Sequence, residues 1–387
     1  MKEEIKQRAL EEVENLEDKM IQLATYLHRH PELGHQEYKA LKLLTEELDE
    51  AGFQVERGLC GMETSFLAEY AGKDDGPGIG IIAEYDALPM GHACGHNLIG
   101  ASSVGAALAL SRVIKDLPGR ILVYGTPAEE SGGGKIPFCE EGLFQRADVA
   151  MLVHPGDRTG VEGTSLAIDA LEFTFHGRAA HAAASPEEGI NALDGVLLFF
   201  NGINALRQQL SDGVRIHGII TEGGEAPNII PELASCQFYV RALERGELDE
   251  VVEKVLCCAE GAARASLCKL EHRKYQHSYE NLKTNSLLAE VFTRNLVELG
   301  EEIADPPEMM GSTDMGNVSH ILPSIHPEVA IAPFGCAAHT REFLEAACSE
   351  AGFRGMMQGA RAMVMTAIDL IMDPALMERI REEFESE

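Results

Sequence analysis

The chain has 387 residues, 63 of them acidic and 32 basic, for a net charge of -31, and nine of them are cysteine. So acidic a balance argues against nucleic acid or an anionic membrane as partner and favours a soluble, self-repelling surface. An odd set of scattered cysteines, with Cys257 and Cys258 adjacent, fits a reducing cytoplasm better than a disulfide-built secreted domain.

Residues 1–34 carry a charged amphipathic helix pattern without the apolar core of a signal peptide, and no transmembrane span is readable along the chain. Strand and helix patterns then alternate. TSFLAEY and GIGIIAEYD read as strands, NLIGASSVGAALALSRVIK as a helix, and GRILVYGTPAEE and ADVAMLVHP as further strands. That rhythm predicts a three-layer α/β domain. From Ala167 it changes to β-α-β-β-α-β, running from AIDALEFTFHG to LCKLEHRKYQ, the split arrangement of a small ferredoxin-like sandwich. The organisation expected is therefore a first domain over 1–166, an inserted domain over 167–281, and a return to the first domain over 282–387, closing with the helix GFRGMMQGARAMVMTAIDLI.

Polar residues fall where the apolar runs stop. Asp86, the tandem Glu129 and Glu130, and His154 each follow a different strand, and ligands of open α/β sheets bind at such strand ends. The stretch MGHACGHNLIG adds His92, Cys94 and His96, and a late histidine, His339, stands in GCAAHTREF. A lone histidine is more often a core or surface residue, and a lone cysteine more often just buried. The joint set Cys94, His96, Glu130, His154 and His339 offers thiolate, imidazole and carboxylate, which suits zinc or a similar late first-row ion. Adjacent carboxylates at a buried strand end repel unless cations hold them; one can ligate while its neighbour takes a proton from water. The neighbouring SGGGK is not a phosphate loop, because Glu129 stands where its first glycine belongs and Ile136 where its Ser or Thr belongs.

The motifs HRHPELGHQEYKA, AEYDALPMGHACGHN, GTPAEESGGGK, FHGRAAHAAASPEEGINALDG, PNIIPE and GSTDMGNVSH resemble the M20 family of metallopeptidases and amidohydrolases, in its aminobenzoyl-glutamate hydrolase branch. The resemblance implies a three-layer zinc-peptidase-like catalytic domain with an inserted lid and dimerisation domain. It implies two divalent ions per subunit, zinc with manganese or cobalt as alternatives, held by Cys94, His96, Glu130, His154 and His339. Glu129 would be the general base, Asp86 the carboxylate orienting a ligand histidine, His181 the histidine over the scissile carbonyl, and Asn228 a substrate or oxyanion contact. Arg241 of the inserted domain could pair with a substrate carboxylate, against the plainer reading of a rim salt bridge.

The expected activity is hydrolysis of the amide bond of a dipeptide, an N-acyl amino acid or an aminobenzoyl-glutamate-like amide, by a cytoplasmic homodimer with no nucleic-acid or membrane partner. An aminoacylase, or a silent binding subunit on the same fold, are the alternatives. Two local expectations go with it. An extended loop would put alternate side chains Cys94 and His96 on one side, with His92 structural, and Asn97 would cap the helix that follows. Where many members carry a histidine two residues before the strand-end aspartate, this chain has Glu84, so Cys94 would supply the missing donor.

Overall fold

Aliphatic and β-branched runs bounded by Gly, Pro and Asp give the strands, and apolar residues at helical spacing give the helices that cover them. The computed structural model describes residues 2–305 and 311–386. The chain divides into two units, one taking the described residues of 1–164, 282–310 and 314–387, the other residues 165–281 with 311–313.

The first unit holds β1 (Gln54–Arg57), β2 (Phe66–Ala71), β3 (Asp74–Ala83), β4 (Pro118–Gly125), β5 (Val149–Met151) and β6 (His154–Gly156). The second unit contributes β7 (Ala167–His176), β8 (Arg215–Glu222), β9 (Leu233–Ala242) and β10 (Lys269–Lys274). The chain then returns to the first unit for β11 (Ser324–Ile325) and β12 (Glu328–Ala330).

In the first unit the main sheet runs β1-β2-β4-β3-β5-β11. Strands β4, β3, β5 and β11 are parallel, and β1 and β2 close one side antiparallel. Ile79, Ile81, Ile82, Ile121, Leu122 and Val123 are all fully buried, as a parallel sheet covered on both faces requires. On one face the sheet packs into a core shared with the helices Lys2–Asn15, Glu17–Arg29, His96–Ile114, Ser286–Glu298 and Glu350–Met372. On the other, Leu67, Ile82, Leu122 and Tyr124 pack with Phe138, Phe144 and Val318. The result is the three-layer α/β arrangement. The helix His96–Ile114 is long and apolar enough to cross a membrane by length and composition, but it is buried almost throughout in this core. Its Gly105 lies against Met20, where a Cβ would meet the thioether. The continuous helical pattern at the N-terminus yields two helices, broken at Leu16.

The second unit is an antiparallel sheet in the order β10-β7-β9-β8, with the helices Ala192–Leu206 and Arg245–Ser266 in the β-α-β-β-α-β order. Strand β9 alternates cleanly: Ala234, Cys236, Phe238, Val240 and Ala242 face the core with Val196, Phe199, Ile203, Val251 and Val255. The first of these helices starts later than its pattern, because Asn191 accepts from the Leu193 amide at 3.0 Å and caps it. Strand β8 is a sheet edge, with Ile219 and Ile220 63% and 41% exposed.

Candidate metal centre

Because β3, β4 and β5 are parallel, the segments that follow them leave the same edge of the sheet. This brings Asp86, Glu129, Glu130 and His154 together. Cys94 and His96 arrive there differently from the expectation. Residues 91–95 form turns rather than an extended loop, Gly95 takes a left-handed φ of 82° at the N-cap, and the helix begins at His96 itself. Asn97 caps nothing. It lies inside the helix, and its amide donates to the carbonyls of Ala24 (3.2 Å) and Ala347 (2.8 Å), tying three helical segments together.

Donor atoms converge in overlapping groups, each within 4.8 Å: Cys94, His96 and His154; Cys94, Glu130 and His339; His96, Glu129 and Glu130. Cys94 Sγ lies 3.6 Å from His154 Nε2, and Glu130 Oε1 lies 3.1 Å from His339 Nε2. His339 is set on the turn after β12 with a left-handed φ of 64°, its amide donating to the Ala93 carbonyl at 2.9 Å. All five residues expected to ligate are thus brought together.

The rings are oriented as ligands need to be. His96 donates from Nδ1 to Asp86 Oδ1 at 2.9 Å, and His154 from Nδ1 to the Pro155 carbonyl at 2.8 Å, so each turns a bare Nε2 inward. The other oxygen of Asp86 accepts from the Glu130 amide at 3.1 Å, so one carboxylate fixes the His96 ring and the loop of the tandem acids. Buried His96 Nε2 makes no hydrogen bond, nor does Glu84 Oε2, 3.4 Å away. Two buried lone pairs facing each other repel unless a cation joins them. Together with the thiolate, imidazole and carboxylate donor set, this fits a divalent ion.

Glu129 shares a second cluster with Glu84 and Asp314, again within 4.8 Å. Lys135, with no exposed surface, reaches into it, its Nζ 2.5 Å from both Glu84 Oε1 and Asp314 Oδ1. Burial raises the Glu129 carboxyl well above its usual range, and Glu84 and Asp314 add to this. A group so placed holds a proton readily. Burial works the same way on Glu84, but the Lys135 ammonium paired with it outweighs burial and holds that carboxyl at about 2. The hydrogen bond from His339 does most to offset burial at Glu130, also held at about 2.

His181, Asn228 and Arg241 lie on the second unit. His181 is exposed, and its Nδ1 accepts from the amides of Ala183 and Ala184, both at 3.2 Å. Accepting there leaves the proton of a neutral ring on Nε2, which then serves as a donor. The Asn228 carbonyl accepts from the Ala182 amide at 3.0 Å, so the two residues share one turn system. Arg241 is half-buried, donates to Ser312 at 3.3 Å, lies 5.7 Å from the Tyr239 ring centre, and pairs with no carboxylate among the described residues. The rim salt bridge is therefore not formed with any of them. His92 is buried, outside the donor groups, and burial pushes its ring down to about 3.

Sequence reasoning passes over Lys135, Asp314 and His326. The ring of His326 stands edge-on to that of His154 at 5.4 Å, and its buried Nε2 has no hydrogen bond. The signal for it is the same strand-end rule, since His326 follows β11, but a two-residue strand is too short to read.

The family model described as Peptidase family M20/M25/M40 matches residues 81–365. The chain is 37% identical over 398 residues to the Xaa-Arg dipeptidase of Mus musculus, covering 98% of this chain and 92% of that protein. It is 29% identical over 439 residues to one of the subunits of the p-aminobenzoyl-glutamate hydrolase of Escherichia coli (strain K12), covering 93% and 91%. Among solved structures, a dinuclear metal binding peptidase from the M20 family, of Bacillus subtilis, superposes with a TM-score of 0.70 at 20% identity, covering 92% of this chain and 99% of that one. With donors gathered at a parallel strand edge and a second unit inserted into the first, the chain belongs to peptidase family M20/M25/M40. It is a metal-dependent peptidase or amidohydrolase.

Proposed function

We propose that the protein hydrolyses the amide bond of small substrates with two divalent ions, zinc foremost, and that dipeptides ending in a basic residue are the leading class. The observation that carries the reaction is the pairing of Glu129 with Glu130: both carboxylates stand in the donor groups, and Glu129 also faces Glu84 and Asp314, where burial and like charges make it receptive to a proton. When bound, the ions polarise the carbonyl and acidify the attacking water. Glu129 accepts the proton of that water and delivers it to the leaving nitrogen. His181, with its Nε2–H directed outward by the Ala183 and Ala184 amides, donates to the oxyanion, and Asn228 on the same turn system contacts the substrate. Arg241, lacking a carboxylate partner among the described residues, takes a substrate carboxylate.

The substrate class is supported by the likeness to a Xaa-Arg dipeptidase over nearly the whole chain, and by a net charge of -31, which draws in cationic ligands. A screen of Xaa-Arg and Xaa-Lys dipeptides, N-acyl amino acids and aminobenzoyl-glutamate tests it. Preference for a neutral N-acyl amino acid would replace the dipeptide reading with an aminoacylase, and inactivity on all would return the chain to a binding role.

A homodimer through the inserted unit is part of the proposal. It is supported by the exposed edge strand β8 and by Leu197 and Leu198, 45% and 43% exposed on the helix Ala192–Leu206. Co-expressing His181→Ala with Glu129→Ala decides whether His181 serves its partner's site. Restored activity in the mixture means it acts in trans, and a mixture no better than its parents means it does not. A reducing cytoplasm is proposed on the nine cysteines, all unbridged.

A further inference from the structure

The segment HPELGHQE is left without a role by the metal centre, yet it holds a carboxylate, Glu37, with no exposed surface. A buried carboxylate is costly to keep unless its oxygens are bonded. Among the described residues no lysine or arginine pairs with Glu37. Both oxygens are instead taken by neutral donors: Oε2 by the Thr64 hydroxyl at 2.7 Å and Oε1 by the Ala128 amide at 2.9 Å. Burial correspondingly pushes its carboxyl up to about 7.

Ala128 is the residue before Glu129, and its backbone is left-handed, with φ 58°. A side chain strains that conformation, so something must hold it. Its carbonyl accepts from the amides of Gly132 (2.7 Å) and Gly133 (2.9 Å), which closes the turn from the downstream side. Its amide is held by Glu37 alone among the described residues. The segment carrying Glu37 presses on the same turn. A Cβ on Gly34 would fall on Ser131 Oγ and Ala128 Cβ, and one on Gly132 would fall on His35 Nε2. The Glu32 carbonyl in the same segment accepts from the Ala87 amide at 2.8 Å, beside Asp86.

We propose that Glu37 is a positioning residue for the general base: by accepting from the Ala128 amide, it locks the left-handed turn that aims Glu129. This rests on the reading of Glu129 as the base. Glu37→Gln keeps an acceptor for the Ala128 amide and offers its NH2 to Thr64 Oγ1, whereas Glu37→Leu removes the acceptor. In the leucine variant kcat should fall by about 10²-fold, as for a small misplacement of a reacting group, while KM and bound metal stay as in the parent. The glutamine variant should recover most of that loss. A general structural role would instead lower the melting temperature and metal content together. Adding Ala128→Gly to the leucine variant should restore part of kcat, because glycine takes the left-handed turn without strain.

Amide exchange over residues 126–134, read by mass spectrometry, needs no substrate. It should quicken about tenfold in Glu37→Leu and remain parental in Glu37→Gln, as expected when a local turn loses its anchor. Thr64→Val frees Oε2 and keeps its shape; it should show the same signature at smaller amplitude, and it serves if the leucine variant does not fold. Parental exchange and kcat in folded Glu37→Leu, or in Thr64→Val where that variant stands in, overturn the proposal. So does a glutamine variant as impaired as leucine. If the parent hydrolyses no amide tested, the base reading fails, and the exchange measurement still decides whether Glu37 holds the turn.

Discussion

Two buried acidic clusters in this chain are built to opposite plans. In the inserted unit Asp169, 1% exposed, is gripped by both Arg245 nitrogens at 2.9 and 3.0 Å and by Lys274 Nζ at 2.9 Å. Every charge there has its counterpart inside the protein. In the first unit Glu84, Glu129 and Asp314 crowd around one buried lysine, Lys135, Glu130 beside them pairs with His339, and Glu84 Oε2 and His96 Nε2 face each other without a hydrogen bond. A closed ion cluster is architecture, and its loss is felt in stability. An acid-rich cluster short of cations is a receptor for them, and its loss is felt in metal content and turnover.

The sharpest way to break this contrast is to strip the first cluster. Chelation should abolish turnover and added zinc, manganese or cobalt restore it, with the fold of the inserted unit unaffected; full turnover by metal-free protein would erase the distinction. Within the cluster, Glu129→Gln should lose roughly 10²-fold to 10⁴-fold in kcat with metal retained, and Glu130→Gln should lose metal. If metal analysis finds the two alike, the division between the tandem acids is wrong. Cys94→Ser should bind metal more weakly, since a hydroxyl is a poorer ligand than a thiolate.

The second cluster should respond in stability instead. Asp169→Ala leaves Arg245 with Asp249 alone and Lys274 with Ser278 alone, and should cost about 3 kcal/mol, read by denaturant melts, with bound metal unchanged. The smallest effect is on pH. Burial raises the Asp169 carboxyl, but Arg245 and Lys274 outweigh it and hold it at about 2, below the ordinary 3.8. A depressed carboxyl stabilises the fold above its unfolded value and loses that contribution as acid protonates it. About 2 kcal/mol should therefore disappear between pH 4 and pH 2, and Asp169→Asn should flatten that part of the stability curve. An unchanged slope would show that the cluster is weaker than its geometry.

The strand-end polar residues are legible because apolar runs stop abruptly at Asp86, Glu129 and His154, and parallel strands bring such stops to one edge. The helix start beside them is not. Asn97 is a good cap by residue type, but Gly95 takes the cap position in a conformation that suits glycine, and the Asn97 amide serves distant carbonyls instead. Lys135 falls away with the phosphate-loop pattern because its meaning lies in Glu84 and Asp314, 51 and 179 residues away. No local period encodes such a partnership. The break at Leu16 is equally silent, since neither glycine nor proline marks it.

The inserted unit leaves the first at Thr164 and rejoins it at Leu282, and these two residues touch: Thr164 Oγ1 donates to the Leu282 carbonyl at 3.3 Å, and Thr284 Oγ1 to the Gly163 carbonyl at 2.8 Å. A module whose ends meet is a cassette. Residues 165–281 can be cut from the gene and the gap bridged by a few glycines, with little added loop entropy. What remains keeps the parallel sheet and the donor groups, and gives up His181, Asn228 and Arg241. Such a shortened chain would test whether ion capture and turnover can be separated in a single polypeptide.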